Sequence, residues 1–246
     1  QNLKFIKGDL RDKFSLDDLF NKQNHVNQKI EAVIHFAGLK SVFESVNYPL
    51  KYWDVNVKGL INLLQIMDKY FCRNLIFSSS ATIYSQNNSL PLKESSLLGP
   101  INPYGNTKFT IEKILEDVFN SNKDSWRICN LRYFNPIGAH PSGIIGENPL
   151  GIPNNIFPII LNVALKKIEK IKIFGNDWDT PDGTCIRDYI HVMDLANGHM
   201  MALNYLFKNN PQLINFNLGT GIGTSVLSLI NTFSEVNNIN IPYEFS

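Results

Sequence analysis

A doubly wound α/β fold on a parallel sheet is the class this sequence predicts. Short apolar runs such as Ala32-Val33-Ile34-His35-Phe36-Ala37 have the length and unbroken hydrophobicity of strands covered on both faces. Helical patterns lie between them, and the order strand, helix, strand, helix favours parallel pairing with helices on both sides. In order, Phe5-Ile6 predicts a strand ending at the turn Gly8-Asp9, and a polar-apolar segment follows from Ser15 to Asn24. The run 32–37 closes at Gly38, and a long helix follows Pro49 to about Tyr70. Asn74-Leu75-Ile76-Phe77 is the next strand, ending in Ser78-Ser79-Ser80. A loop over 86–103 holds Pro91, Pro100 and Pro103. A helix then opens at Tyr104 with Ile111, Ile114, Leu115, Val118 and Phe119 as its apolar stripe, and a strand spans 127–134. Glycines and prolines crowd 136–158, the texture of a long functional loop or a domain boundary. The expected division is a first domain over 1–135 and a smaller α/β lobe over 136–246, with segments able to return to the first domain. In the lobe the pattern predicts a helix near 156–167, a strand near 171–174, a helix from Asp194 as N-cap, a strand near 213–218 and a helix after Thr224.

Composition excludes several classes of function. The 246 residues are 43% hydrophobic with a formal net charge of +1, so no electrostatic footprint for nucleic acid or an anionic membrane is expected. No run of eighteen apolar residues suggests a membrane span. Cys72, Cys129 and Cys185 are odd in number and widely spaced, with no Cys/His cluster that would hold a metal, which makes the reducing cytoplasm the default compartment.

Tyr104 and Lys108 stand four apart at a helix start, so their side chains leave one face, the face that continues through Ile111 and Leu115 toward the sheet. A free tyrosine has a pKa of about 10, and making it a base at neutral pH costs about 4 kcal/mol. A neighbouring ammonium favours the phenolate and lowers that cost. The spacing alone is weak, since Tyr-x-x-x-Lys is expected about 0.7 times by chance in such a composition. Ser78-Ser79-Ser80 adds weight: it lies at the carboxyl end of an apolar strand, where parallel sheets place their ligand crevice. Helix caps and turns explain Ser78 and Ser79 equally well. His35 and His191 read as packed rather than catalytic, and Gly219-Thr220-Gly221-Ile222-Gly223 reads as a turn rather than a phosphate loop.

The succession Gly8-Asp9-Leu10-Arg11, His35-Phe36-Ala37-Gly38-Leu39-Lys40, Ser78-Ser79-Ser80-Ala81-Thr82-Ile83-Tyr84 and Pro103-Tyr104-Gly105-Asn106-Thr107-Lys108 resembles the extended short-chain dehydrogenase/reductases. Four further blocks narrow the resemblance to the UDP-glucose (UDP-galactose) 4-epimerases: Leu131-Arg132-Tyr133-Phe134-Asn135-Pro136, Gly138-Ala139-His140-Pro141-Ser142-Gly143, Gly151-Ile152-Pro153-Asn154-Asn155 and Arg187-Asp188-Tyr189-Ile190-His191-Val192. The resemblance implies reversible, NAD-dependent inversion at C4 of UDP-glucose or UDP-galactose through a 4-keto sugar. It implies Tyr104 as general base, Ser80 as the hydroxyl that orients the C4 oxygen, and Lys108 as the cation that tunes Tyr104 and binds the nicotinamide ribose. Asp9 and Leu10 would lie at the adenine end of NAD, and Phe36, Ala37, Gly38, Leu39 and Lys40 along its pyrophosphate, with Lys40 also reaching substrate. Asn56 would be structural or adjacent to the cofactor. Tyr133 and Phe134 would flank the nicotinamide, and Asn135 would touch sugar or diphosphate. Asn155, with Ile156 behind it, and Arg187 would hold the UDP diphosphate, a guanidinium fork suiting that group. Ile173 and Phe174 would lie at the uracil site. A homodimer is implied through the long helix before Tyr70 and the helix starting at Tyr104.

In this resemblance the first strands and the glycine-rich phosphate loop would precede Gln1, and further contacts to the UDP-sugar would follow Ser246. The 246 residues alone are accordingly expected to fold poorly, hold little NAD and be inactive. Dehydration is disfavoured because Ala81 and Thr82, which follow Ser80, cannot do acid/base work. A nucleotide-sugar decarboxylase, another epimerase of the same superfamily, and a non-catalytic form remain the alternatives.

Overall fold

The computed structural model describes residues 3–26, 28–151 and 153–246, so Gln1, Asn2, Asn27 and Ile152 of the sequence blocks lie outside the described residues. In chain order the elements are α1 (Lys13–His25), β1 (Val33–His35), α2 (Val42–Asn47), α3 (Pro49–Tyr52), a π-helical turn (Trp53–Lys58), α4 (Gly59–Lys69), β2 (Asn74–Ser80), a 3-10 turn (Ala81–Ile83) and α5 (Pro103–Ser121). Then follow β3 (Arg127–Tyr133), β4 (Asn135–Ile137), α6 (Ile156–Ala164), β5 (Ile171–Ile173), β6 (Ile186–His191), α7 (Val192–Lys208), β7 (Gln212–Leu218), β8 (Gly223–Ser225), α8 (Val226–Asn237) and β9 (Tyr243–Phe245).

Two compact units result. The first joins the residues up to Tyr133 with His199–Asn217, and the second holds Phe134–Gly198 and Leu218–Ser246. The division therefore falls two residues before the expected 135/136 boundary, and a later segment belongs to the first unit because β7 lies beside β3 in its sheet. The sheet order is β1-β2-β3-β7, with β1, β2 and β3 parallel. Register pairs Ser79 with Arg132 and Ser80 with Tyr133. Because side chains alternate, Leu75, Phe77, Ser79, Ile128 and Arg132 share one face. Leu75, Phe77 and Ile128 meet Leu60, Leu63 and Met67 of α4 and Ile111 and Leu115 of α5 in the main core. Each such side chain contributes about 1.5–3 kcal/mol on burial.

Helix α5 starts where its sequence says. Pro103 fits the first position because it has no N–H to satisfy, and the Asn102 side chain accepts from Gly105 N at 2.8 Å. Tyr104, Lys108, Ile111 and Leu115 form its buried stripe. The helix read from Pro49 to Tyr70 is broken by the π turn that carries Asn56. Around Phe5 no strand forms: that side chain is 87% exposed and no described strand lies beside it to supply partners.

In the second unit β4 pairs in parallel with β6, β6 pairs antiparallel with β8, and β5 pairs with β9. Helices α6 and α8 close a core of Ile160, Val163, Ile171, Ile173, Ile230 and Ile241. Asp194 is not an N-cap: β6 runs directly into α7 at Val192, which leaves Asp194 in the first turn, where its charge still suits the helix dipole. Helix α6 stops at Ala164, short of the expected 167, where the chain turns through Lys166 at φ 56°. His191 is exposed rather than packed, its ring lying against Gly138.

Candidate active site at the carboxyl end of the parallel sheet

Ser80, Tyr104 and Lys108 converge in the first unit. Ser80 ends β2, buried, and its Oγ accepts from Thr82 N at 3.2 Å and pairs with Thr82 Oγ1 at 3.0 Å. Tyr104, at the second position of α5, is also buried. Burial pushes its phenol above the ordinary tyrosine value, and a hydrogen bond with Ser80 acts in the opposite direction. Lys108, one turn on, places Nζ 2.6 Å from Ser78 O, 4.8 Å from the Phe77 ring centre and 5.9 Å from that of Tyr104. Burial alone lowers its pKa to about 8. His35, stacked on Phe77 with ring centres 5.9 Å apart, is pulled down to about 4, first by burial and then by the Lys108 charge.

Behind these residues lies a buried network that sequence reasoning did not single out. The Glu112 carboxylate accepts from Ser79 Oγ at 2.6 Å and from Arg132 Nε and Nη2 at 3.1 and 2.7 Å. Arg132 also donates to Tyr84 Oη and to Glu94 O, both at 2.9 Å, and Tyr84 Oη donates to Asn217 Oδ1 at 2.7 Å. The side chains of Arg132 and Glu112 are 2% and 7% exposed. A buried charge requires a partner, so an acid on the apolar stripe of α5 and an arginine inside β3 were the available signal.

Asn56 joins the loop after β1 to α5. Its Oδ1 accepts from Leu39 N at 2.8 Å, and its Nδ2 donates to Leu39 O at 3.1 Å and Thr107 Oγ1 at 3.2 Å. Thr107 in turn donates to Tyr104 O at 2.7 Å. A Cβ on Gly38 would sit 3.1 Å from Asn56 Oδ1, so the close approach suits glycine. Phe36, Ala37, Gly38 and Lys40 are exposed around that anchor. Asp9 and Leu10 precede α1. Arg11 takes the Asp9 carboxylate at 2.7 Å and holds its pKa at about 2, while Leu10 packs on the core near Gly59. Tyr133 ends β3, its hydroxyl 2.5 Å from His199 Nε2.

The other expected residues belong to the second unit. Phe134 N donates to Leu218 O at 3.1 Å, and Asn135 begins β4 opposite Tyr189. Asn155 precedes α6 with its Nδ2 on Glu147 Oε1 at 2.8 Å, and Ile156 packs on the α6/α8 core. Ile173 turns its side chain into that core, whereas Phe174 beside it is 77% exposed. Arg187 lies on β6 with Nη1 on Ile186 O at 2.7 Å, its guanidinium at the surface. Next to it, the Asp188 carboxylate accepts from Thr220 N, Thr220 Oγ1 and Gly221 N at 2.7–2.8 Å, folding the glycine-rich turn around one acid.

A buried hydroxyl, phenol and ammonium thus stand together at the carboxyl end of the parallel strands of an α/β protein. The chain belongs to the NAD dependent epimerase/dehydratase family, whose model matches residues 1–219. It is 49% identical over 250 residues to the bifunctional protein GAL10 of Pachysolen tannophilus, covering 99% of this chain and 35% of that protein. It is also 49% identical over 242 residues to UDP-glucose 4-epimerase 4 of Oryza sativa subsp. japonica, covering 98% and 64%. The chain thus spans about a third of the first relative and somewhat under two thirds of the second. Among solved structures, UDP-glucose 4-epimerase from Bifidobacterium longum in complex with NAD+ and UDP aligns with a TM-score of 0.92 and 43% identity, over 100% of this chain and 71% of that one.

The residues present fit a nicotinamide nucleotide. Among the described residues the only hydrogen bond of the Lys108 ammonium is to Ser78 O, which leaves two of its three donors for hydroxyls of a ligand.

Proposed function

We propose that the protein containing this chain catalyses the reversible, NAD-dependent inversion of C4 in UDP-glucose and UDP-galactose. The observation that carries this reading is the cluster of Ser80, Tyr104 and Lys108, supported by the relatives named above. Tyr104 takes the proton of the C4 hydroxyl and later returns it. Ser80 presents a hydroxyl that hydrogen-bonds the C4 oxygen as alcohol or ketone. NAD, when bound, supplies the hydride acceptor and donor. Lys108 holds the ribose hydroxyls, and its charge favours the phenolate against the burial that opposes it. Phe36–Lys40, tied to Asn56, line the cofactor's phosphates, and Asp9 and Leu10 its adenine end; Tyr133 and Phe134 flank the nicotinamide. In the second unit Asn135, Asn155, Ile156 and Arg187 hold the sugar and diphosphate, and Phe174, with the Ile173 backbone, meets the uracil. Binding energy from the nucleotide lets the hexose be held loosely enough to present either face.

The same reading gives a cytoplasmic homodimer. Three free cysteines support the compartment, and exposed Phe43, Leu50 and Ile61 support an apolar contact between copies. The test is turnover of UDP-galactose by the full-length protein and by Tyr104→Phe. The variant is expected to lose at least about a thousandfold in kcat while still binding UDP, within the range that acid-base groups supply. Unchanged turnover in the variant would overturn the assignment.

A further inference from the structure

Outside the groups given a part in the proposed reaction, the buried His199 contacts Tyr133, whose place on β3 is in register with Ser80. His199, near the middle of α7, is only 4% exposed. Its Nε2 lies 2.5 Å from the Tyr133 hydroxyl, with the two rings edge to face at 5.4 Å between centres. On its other side the Phe36 ring lies 4.8 Å away, tilted by 43°. Phe36 directly follows β1, and Tyr133 ends β3 in register with Ser80 on β2. One imidazole therefore braces the ends of two strands that flank the strand carrying the reactive hydroxyl.

We propose that His199 is a positioning residue: it fixes the Tyr133 hydroxyl and the Phe36 ring so that the wall facing the nicotinamide is set before the ligand arrives. The inference rests on the proposed function and extends it to a residue outside the machinery named there. A half-buried phenol can swing about its ring axis and pivot at its strand end unless its oxygen is held. Here the oxygen is held by His199 Nε2, and Lys108 donates to the backbone oxygen of Ser78 on the neighbouring strand. Burial raises the Tyr133 pKa, and the nearby Tyr104 adds to the rise, so the phenol stays protonated and acts by shape and hydrogen bonding rather than as a second base. Phe36, largely exposed, has the other face of His199 as a stacking partner, which restricts a side chain otherwise free to rotate into the cofactor's path.

The test is a double-mutant cycle in the full-length protein with His199→Leu, Tyr133→Phe and the combination, together with His199→Gln. The glutamine amide can reach the Nε2 position and can donate or accept, so it serves for either tautomer of the histidine. Two readouts are taken: NAD retained per chain after gel filtration, measured by absorbance on denaturation, and kcat and KM for UDP-galactose. His199→Leu is expected to lower NAD retention at least threefold and kcat at least tenfold, with KM for UDP-galactose within threefold. His199→Gln is expected to stay within threefold of wild type on every measure. In the Tyr133→Phe background the leucine change is expected to cost several-fold less than in wild type, because the part of its effect that runs through the hydroxyl is already removed and only the part through Phe36 remains. Equal losses with and without the Tyr133 hydroxyl, a glutamine variant as impaired as the leucine one, or a leucine variant indistinguishable from wild type would each overturn the inference. If leucine prevents folding, His199→Asn, whose shorter amide falls short of the hydroxyl, replaces it in the cycle. Wild-type protein that binds NAD but does not turn over UDP-galactose refutes the epimerase reading alone, and the retention cycle still decides the role of His199.

Discussion

Acid should destabilise the first unit through His35. The ring is 4% exposed, and burial with the Lys108 charge behind it holds its pKa at about 4. An unfolded histidine titrates near 6.5, so between roughly pH 4 and 6.5 the unfolded chain binds more protons than the folded one. Stability from this group is therefore full above about pH 6.5 and is lost as the pH falls toward 4. The full displacement corresponds to about 3 kcal/mol, of which about 2 kcal/mol is lost between pH 7.5 and 5. A charged His35 would also add a second cation beside Lys108 and weaken the stack on Phe77. Urea unfolding followed by circular dichroism at pH 7.5 and 5.0, for wild type and His35→Gln, measures the effect. The wild type is expected to lose about 2 kcal/mol more than the variant over that interval. Parallel losses in the two proteins would refute the reasoning, since the glutamine cannot titrate.

Glu112→Gln leaves Arg132 buried without its counter-charge and is expected to cost about 3–5 kcal/mol, read as a fall in the denaturant midpoint. Asn56→Ala removes three hydrogen bonds and strands the Leu39 backbone; a loss of about 2–4 kcal/mol with lower NAD retention is expected from unfolding curves and cofactor content. Gly219→Ala places a Cβ 2.5 Å from Asp188 Oδ2 and 2.9 Å from Phe134 Cδ2, and about 1–3 kcal/mol should be lost in thermal unfolding. Gly8→Ala, which meets nothing within 4 Å, serves as the control and should stay within about 0.5 kcal/mol.

The parallel strands were legible because Val33-Ile34 and Leu75-Ile76-Phe77 are apolar without alternation, and α5 because Ile111 and Leu115 repeat at helical spacing behind Pro103. Those same patterns carried Ser80, Tyr104 and Lys108 to one place, since the helix stripe and the strand end fix where each side chain leaves the backbone. The strands β4, β8 and β9 hold three residues each and, unlike the equally short β1 within its apolar run 32–37, stand in no longer apolar stretch that would mark them. The strand read at Phe5-Ile6 has local propensity but no described neighbour, and a strand needs one. His199 escaped for another reason: a histidine inside a helical stretch reads the same whether it braces a tyrosine or faces water. Only the partner, far off in sequence, gives it meaning. The Arg132–Glu112 pair lies between these cases, because each charge stands at a position the apolar pattern reserves for the core.

That ion pair has a consequence for motion in the reaction proposed here. With Ser79, Tyr84 and Glu94 drawn onto it, the platform beneath Ser80 is fastened to α5, β3 and the loop at 84–98 by largely buried bonds, and little slack remains there. An inversion at carbon nonetheless needs something to turn over between removal and return of the hydride. A floor this stiff leaves the tumbling to the hexose and keeps the base and its hydroxyl partner stationary while the sugar changes sides.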